Sequence, residues 1–220
     1  MLENEDQAPA GLLGDWLRAR GLDAETVAVW ERGVPADPAE FAWIASLGAA
    51  NSVTDPEPAW IGAEIEFIRR AVKADVPVLG LCFGGQALSV ALGGGISPVD
   101  APSIGWFDVD THAPDLLPGG PWMHFNVERF SVPPGAEAVA RSAAGVVAFA
   151  NGPHLGTQFH PEVTPPIIDD WLRSEEAVVT RLGVDPDAVR AQSEAHAATV
   201  VERAFALFDG WLARGDGARR

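Results

Sequence analysis

Val76-Pro77-Val78-Leu79-Gly80-Leu81-Cys82-Phe83-Gly84-Gly85-Gln86 is the stretch that decides the fold. Its first half is a short, uninterrupted apolar run, the composition of a strand covered on both faces, and such strands occupy the centre of parallel sheets. Its second half sets small residues around a cysteine and leads into a segment of helical character, 85–92. A buried strand that passes through a glycine-flanked nucleophile directly into a helix is a nucleophile elbow. Glycines allow neighbouring backbone to come close there, and the turn presents the side chain at the strand's C-terminal end.

Working outward, β-rich apolar runs at 26–30 and 41–47 alternate with segments of helical period at 12–20 and 60–74. Strands alternating with helices predict a doubly wound α/β sheet, mostly parallel and flanked by helices on both faces. Beyond Pro98 come shorter strand candidates at 104–109, 137–140, 146–150 and 155–159, separated by Pro- and Gly-rich turns. From Pro165 the tail is predicted helical, with apolar residues at helical spacing over 188–212 and an end near Gly215, and it is expected to pack on the sheet's flank. The whole chain, 1–220, reads as one domain, with a core at 4–172 and a helical extension at 173–220. Only Met1-Leu2 precede a polar stretch where such a sheet ordinarily opens with an apolar strand. The expectation is therefore a very short first strand, or a natural start further upstream.

Composition narrows the function. The chain has 220 residues, 47% hydrophobic and 21% charged, which is a globular balance. No apolar run reaches the roughly 18 residues of a membrane helix. The acidic opening Met1-Leu2-Glu3-Asn4-Glu5-Asp6 lacks the basic and apolar regions of a secretory signal, so a cytoplasmic protein is expected. A net charge of −16 repels phosphate backbones, which argues against a nucleic-acid partner. The single cysteine, Cys82, cannot form an internal disulfide or a thiolate-rich zinc site. The one lysine, Lys73, is followed by Ala74, so the phosphate-cradling loop that ends in Lys-Ser or Lys-Thr is absent. The expectation is chemistry done by side chains, without metal or cofactor.

A lone cysteine is ordinarily a small buried hydrophobe. The elbow around Cys82 reverses that reading, because the positive end of the following helix favours the thiolate, the reactive form. A second element supplies a base, Thr157-Gln158-Phe159-His160-Pro161-Glu162. Of the five histidines only His160 has a carboxylate two positions on, and the intervening proline stiffens the turn so that Glu162 can orient the ring. Cys82, His160 and Glu162 would then be nucleophile, base and orienter for acyl transfer. His112, His124, His154 and His196 read as loop or terminal-helix residues without a chemical role.

Taken together, Gly80-Leu81-Cys82-Phe83-Gly84-Gly85-Gln86 and Gln158-Phe159-His160-Pro161-Glu162 resemble the paired signature of class I glutamine amidotransferases. Leu47-Gly48-Ala49-Ala50-Asn51-Ser52-Val53 and Ile104-Gly105-Trp106 fit the same family in order and spacing, and the likeness spans 4–172. More narrowly, the chain resembles free-standing proteins similar to the amidotransferase part of guanylate synthase. The resemblance implies a flavodoxin-like sheet with a small antiparallel sheet beside it, and glutamine as substrate. It also implies attack by Cys82 on the side-chain amide, a γ-glutamyl thioester, and protonation of departing ammonia by His160. It assigns the oxyanion to the backbone N–H groups of Phe83 and Ala49, and substrate binding to Gln86, Gly48, Asn126 and Val127. No ATP-binding or acceptor domain is recognisable, so ammonia transfer would require a separate synthetase or acceptor subunit. Two departures stand out. Ala49-Ala50 replace the usual Gly-Pro, and Asn126 and Glu128 stand where relatives show a His-x-Asp pair, which bears on substrate specificity.

Other readings compete with this one. An α/β-hydrolase shares the elbow but places its acid before its histidine, whereas Glu162 follows His160. Peptidase and chaperone relatives of similar fold carry a histidine directly after the elbow cysteine, where this chain has Phe83. A γ-glutamyl amide hydrolase would use the same triad without transferring ammonia. A catalytically silent regulatory module would not need the triad at all.

Overall fold

The computed structural model describes residues 1–218. Among them nine strands join in one sheet: β1 (Leu2–Glu3), β2 (Val27–Ala28), β3 (Ile44–Ser46), β4 (Val78–Leu81), β5 (Ile96–Thr111), β6 (Gly120–Phe130), β7 (Glu137–Ser142), β8 (Gly145–Asn151) and β9 (His154–Thr157). Their spatial order is β2-β1-β3-β4-β9-β8-β7-β5-β6. The first five in that order run parallel, and the rest are antiparallel to their neighbours. The antiparallel part is thus continuous with the parallel one. It ends in the long β5–β6 ribbon, which joins β7 through Asp110 and Thr111.

Helices α1 (Gly11–Arg20), α2 (Val29–Arg32), α3 (Trp60–Lys73), α4 (Phe83–Ala91), α5 (Pro165–Ser174), α6 (Glu176–Arg181) and α7 (Pro186–Ala218) complete the fold. The central strands alternate as a two-sided core requires. Ala45, Leu47, Leu79 and Leu81 face one side and pack with Leu13 and Trp16 of α1 and with Leu207, Phe208 and Trp211 of α7. Ile44 and Val78 face the other, against Phe67 and Ile68 of α3 and Phe83 and Leu88 of α4. The doubly wound α/β sheet expected from the sequence is therefore present, and α7 lies on its flank. At Gly210 a side chain would meet the backbone carbonyls of Asp115 and Leu116 at 2.7 Å, so a glycine lets α7 sit that close.

Several local expectations are corrected. The 26–30 run yields only the two residues of β2, because the chain turns into α2 and stops at Gly33, whose φ is +69°. The very short first strand, one of the two expected alternatives, is present: it is two residues long and is held by pairing on both sides, to Val27 and to Ser46. The 104–109 candidate is the middle of a longer strand, and β6, unread in the sequence, is its partner. The tail helix does not stop near Gly215. It continues to Ala218, with Gly215 seated against the ring of Pro77. No helix among the described residues is long and apolar enough to cross a membrane.

His124 and His154 are not loop residues, since both are buried in strands, β6 and β9. The backbone N–H of Val78 donates to His154 Nδ1 at 3.3 Å, a bond that requires an unprotonated ring. Burial lowers the His154 pKa to about 4, against an opposing pull from Asp75. The folded value lies below the ordinary one, so this histidine costs nothing above about pH 6.5 and destabilises progressively as pH falls toward 4. Relative to His154→Gln, the wild type should lose up to about 3 kcal/mol over that range. Urea midpoints at several pH values check this; a pH-independent difference would contradict it.

Candidate active site

The elbow forms because three backbones converge on it. Cys82 N–H donates to Thr157 O at 2.9 Å, and Gly84 N–H donates to Leu47 O at 3.1 Å. A Cβ at Gly80 would lie 2.3 Å from Gly84 O, one at Gly84 2.1 Å from Ser46 O, and one at Gly85 2.3 Å from Thr157 O. Only glycine fits at these positions. Cys82 itself adopts φ 51°, ψ −104°, a strained conformation for a residue with a side chain, and the helix α4 begins immediately after it. Its sulfur accepts a hydrogen bond from Gln158 Nε2 at 3.6 Å.

His160 follows β9, fixed by its N–H to Met123 O at 2.8 Å. Its Nδ1 lies 2.7 Å from Glu162 Oε1, and both side chains are almost fully buried. The ring stands edge-on to Trp171 at 4.6 Å and fills the space beside Gly48, where a Cβ would come within 3.1 Å of Cε1. Glu162 is anchored in turn, since its carbonyl accepts Leu12 N–H at 2.7 Å and only glycine fits at position 11 beside it. Burial alone lowers the His160 pKa. The charges of the Cys82 thiolate and Glu162, with hydrogen bonds to both, overcome that and raise it well above the ordinary histidine value. Cys82→Ala removes the largest of the raising causes, so the ring of His160 should titrate at lower pH in that variant. Ring-proton NMR checks this, and an unchanged titration would contradict the coupling.

Cys82 and His160 open onto a cleft of about 440 Å³, which Gly48, Ala49, Gln86, Asn126, Val127 and Glu128 also line. Of the residues singled out from the sequence, Cys82, His160, Gly48, Ala49, Gln86, Asn126 and Val127 line this cleft. Glu162 is buried against His160 and does not line it, and the Phe83 side chain packs inward against Trp60. The backbone N–H groups of Phe83, at the start of α4, and of Ala49 make no hydrogen bond among the described residues. The neighbouring Ala50 N–H is occupied by Glu5 Oε2 at 2.9 Å. Gln86 Nε2 donates to Glu128 O at 3.3 Å and to Gln158 Oε1 at 3.4 Å. Asn126 Nδ2 donates to Glu128 O at 3.0 Å, and its side chain also pairs with the ring of His124. Burial, with the charge of His160 next, lowers the His124 pKa to about 4, so that ring stays neutral behind the site.

Gln158, the side chain that touches the cysteine, was not singled out from the sequence. Its only signal was its place two residues before His160 in the same motif, just after β9 ends. The contributions of Glu5, Trp171, Glu175 and Arg181 to the cleft carried no such signal, because they come from distant segments.

A family model described as glutamine amidotransferase class-I matches residues 47–173. A GMP synthase [glutamine-hydrolyzing] from Thermomicrobium roseum is 34% identical over 127 residues, 53% of this chain and 22% of that protein. A protein named as one subunit of the GMP synthase [glutamine-hydrolyzing] of Ignicoccus hospitalis is 32% identical over 96 residues, 40% of this chain and 51% of that one. The matched part therefore spans about a fifth to a half of these curated relatives. A crystal structure of a glutamine amidotransferase from Methylobacillus flagellatus superposes with a TM-score of 0.89 at 23% identity, covering 97% of this chain and 93% of that one.

Proposed function

The chain belongs to the class I glutamine amidotransferase family, and from that premise we propose that it is a glutaminase whose nucleophile is Cys82, whose general acid and base is His160, and whose orienting carboxylate is Glu162. The observation that carries the reading is that the strained elbow cysteine and His160, whose ring is held by the buried Glu162, open onto one cleft.

The thiolate attacks the side-chain amide carbon of glutamine, and the C=O electrons move to oxygen. The backbone N–H groups of Phe83 and Ala49 receive that oxyanion, and preorganised donors of this kind are commonly worth a few kcal/mol each. The tetrahedral intermediate collapses, breaking the C–N bond, and the imidazolium of His160 gives its proton to the departing ammonia. A γ-glutamyl thioester remains. Water, deprotonated by His160, attacks the thioester, and glutamate leaves with the thiolate restored. Gln86, Gly48, Asn126 and Val127 bind the substrate.

The ammonia would pass to a separate synthetase or acceptor subunit. The similarity to a protein named as one subunit of a glutamine-hydrolysing synthase supports this. The cleft also extends to Ser174, Glu175, Val178 and Arg181, which favours γ-glutamyl amide hydrolysis as the second reading, because an amide larger than glutamine has room there. Incubation with glutamine and with several γ-glutamyl alkylamides, following ammonia, amine and glutamate, separates the two. Ammonia release from glutamine is the expected result. Cleavage of the alkylamides alone would replace the first reading by the second, and release from none would reject both.

A further inference from the structure

Behind the oxyanion loop lies a polar cluster that the reaction does not use. Glu64, on α3, is fully buried, and its Oε1 accepts from Ser46 Oγ at 2.6 Å and from Asn4 Nδ2 at 3.3 Å. Asn4 Nδ2 also donates to Leu47 O at 3.0 Å. Glu64 Oε2 and Asn4 Oδ1 have no partner among the described residues, and no cation there forms an ion pair with the carboxyl group. Burial pushes Glu64 up to about 7, against the hydrogen bonds from Ser46 and Asn4. An apolar residue at this place on α3 would avoid the cost of burying a carboxyl group, so packing does not account for it.

What the cluster holds is specific. Ser46 is the last residue of β3, and its carbonyl and hydroxyl are the surfaces against which Gly84 of the elbow is seated. Leu47 O accepts from both Asn4 and Gly84 N–H. Ala49 lies two residues further on, and the next N–H, that of Ala50, is taken by Glu5, the neighbour of Asn4. The loop is therefore tied at both ends by the chain segment that carries Asn4 and Glu5, and Glu64 anchors one of those ties.

We propose that Glu64, acting through Ser46 and Asn4, is a positioning residue that fixes the backbone of residues 46–50 so that the Ala49 N–H is aimed at the developing oxyanion. The inference rests on the glutaminase reading for the role of Ala49, and on geometry alone for the fixing of the loop.

The test compares Glu64→Met, which keeps the length and removes the acceptor, with Glu64→Gln, which keeps an acceptor oxygen. An oxyanion donor acts in the transition state, so Glu64→Met should lower kcat on glutamine by about tenfold or more with KM changed less than about twofold. Alkylation of Cys82 by iodoacetamide forms no oxyanion and should change less than about twofold. Amide hydrogen exchange over residues 47–51 should speed up by about tenfold in Glu64→Met and return toward wild type in Glu64→Gln. Should Glu64→Met not fold, Ser46→Ala removes the shortest bond of the cluster and is read in the same way, with the same direction expected.

A folded Met variant with wild-type exchange and kcat would overturn the inference. So would a Gln variant as impaired as Met, or alkylation falling in step with kcat. If the wild type releases no ammonia from glutamine, the glutaminase reading falls, and the exchange contrast between Met and Gln still decides whether Glu64 fixes the loop.

Discussion

Cys82→Ser is expected to fold and to lose glutamine-dependent ammonia release by several orders of magnitude. The side chain is 6% exposed, and the hydrogen bonds it makes with Gln158 Nε2 and with the ring of His160 are ones that a serine hydroxyl can also make. Folding stability should therefore change by no more than about 1 kcal/mol. The chemistry is another matter. A hydroxyl is far harder to deprotonate than a thiol, and the thiolate charge that helps keep His160 protonated disappears with it. A thermal midpoint and an ammonia assay on the same preparation decide the point. A destabilised but still active variant would mean that Cys82 is a buried apolar thiol and not the nucleophile.

Gly84→Ala carries the largest expected stability effect. The new methyl group would sit 2.1 Å from Ser46 O and 2.4 Å from Ser46 Oγ, and the first of these is backbone that cannot swing aside. Relief requires moving β3 or the elbow, each tied by hydrogen bonds to the other, so the cost should exceed about 3 kcal/mol. Gly21→Ala is the matched control. Its φ is +64° and nothing lies within 4 Å of the added Cβ, so only the left-handed backbone is penalised, by about 1 kcal/mol. Urea denaturation of the two variants should separate them clearly, and equal costs would contradict the close approach at the elbow.

The parts of this molecule that were legible in sequence are those in which local chemistry and tertiary role coincide. Val78–Leu81 had to be apolar on both faces because helices cover both, and Gly84 had to be glycine because β3 touches it. His160 and Glu162 sit two residues apart, so their partnership is nearly a local event. Where pairing or packing over long distances decides the structure, the sequence was mute. β6 mixes Trp122, His124, Asn126 and Glu128 with apolar neighbours and becomes a strand through its register with β5. The 26–30 run has strand-like composition, yet its second half joins a helical turn that ends at Gly33. Glu64 reads as one more charged residue on an amphipathic helix. Only the fold reveals that it faces Asn4 and Ser46 instead of water.

The most direct measurement of the central claim uses a glutamine analogue in which a chloromethyl ketone replaces the side-chain amide. If Cys82 attacks that position with His160 and Glu162 in support, the analogue should modify the protein once, on the peptide containing Cys82, and glutamine should protect against it. The Glu162→Ala variant, with the His160 ring left unoriented, should be labelled more slowly. Labelling on another residue, or labelling of Cys82 at the same rate with and without saturating glutamine, would contradict the account.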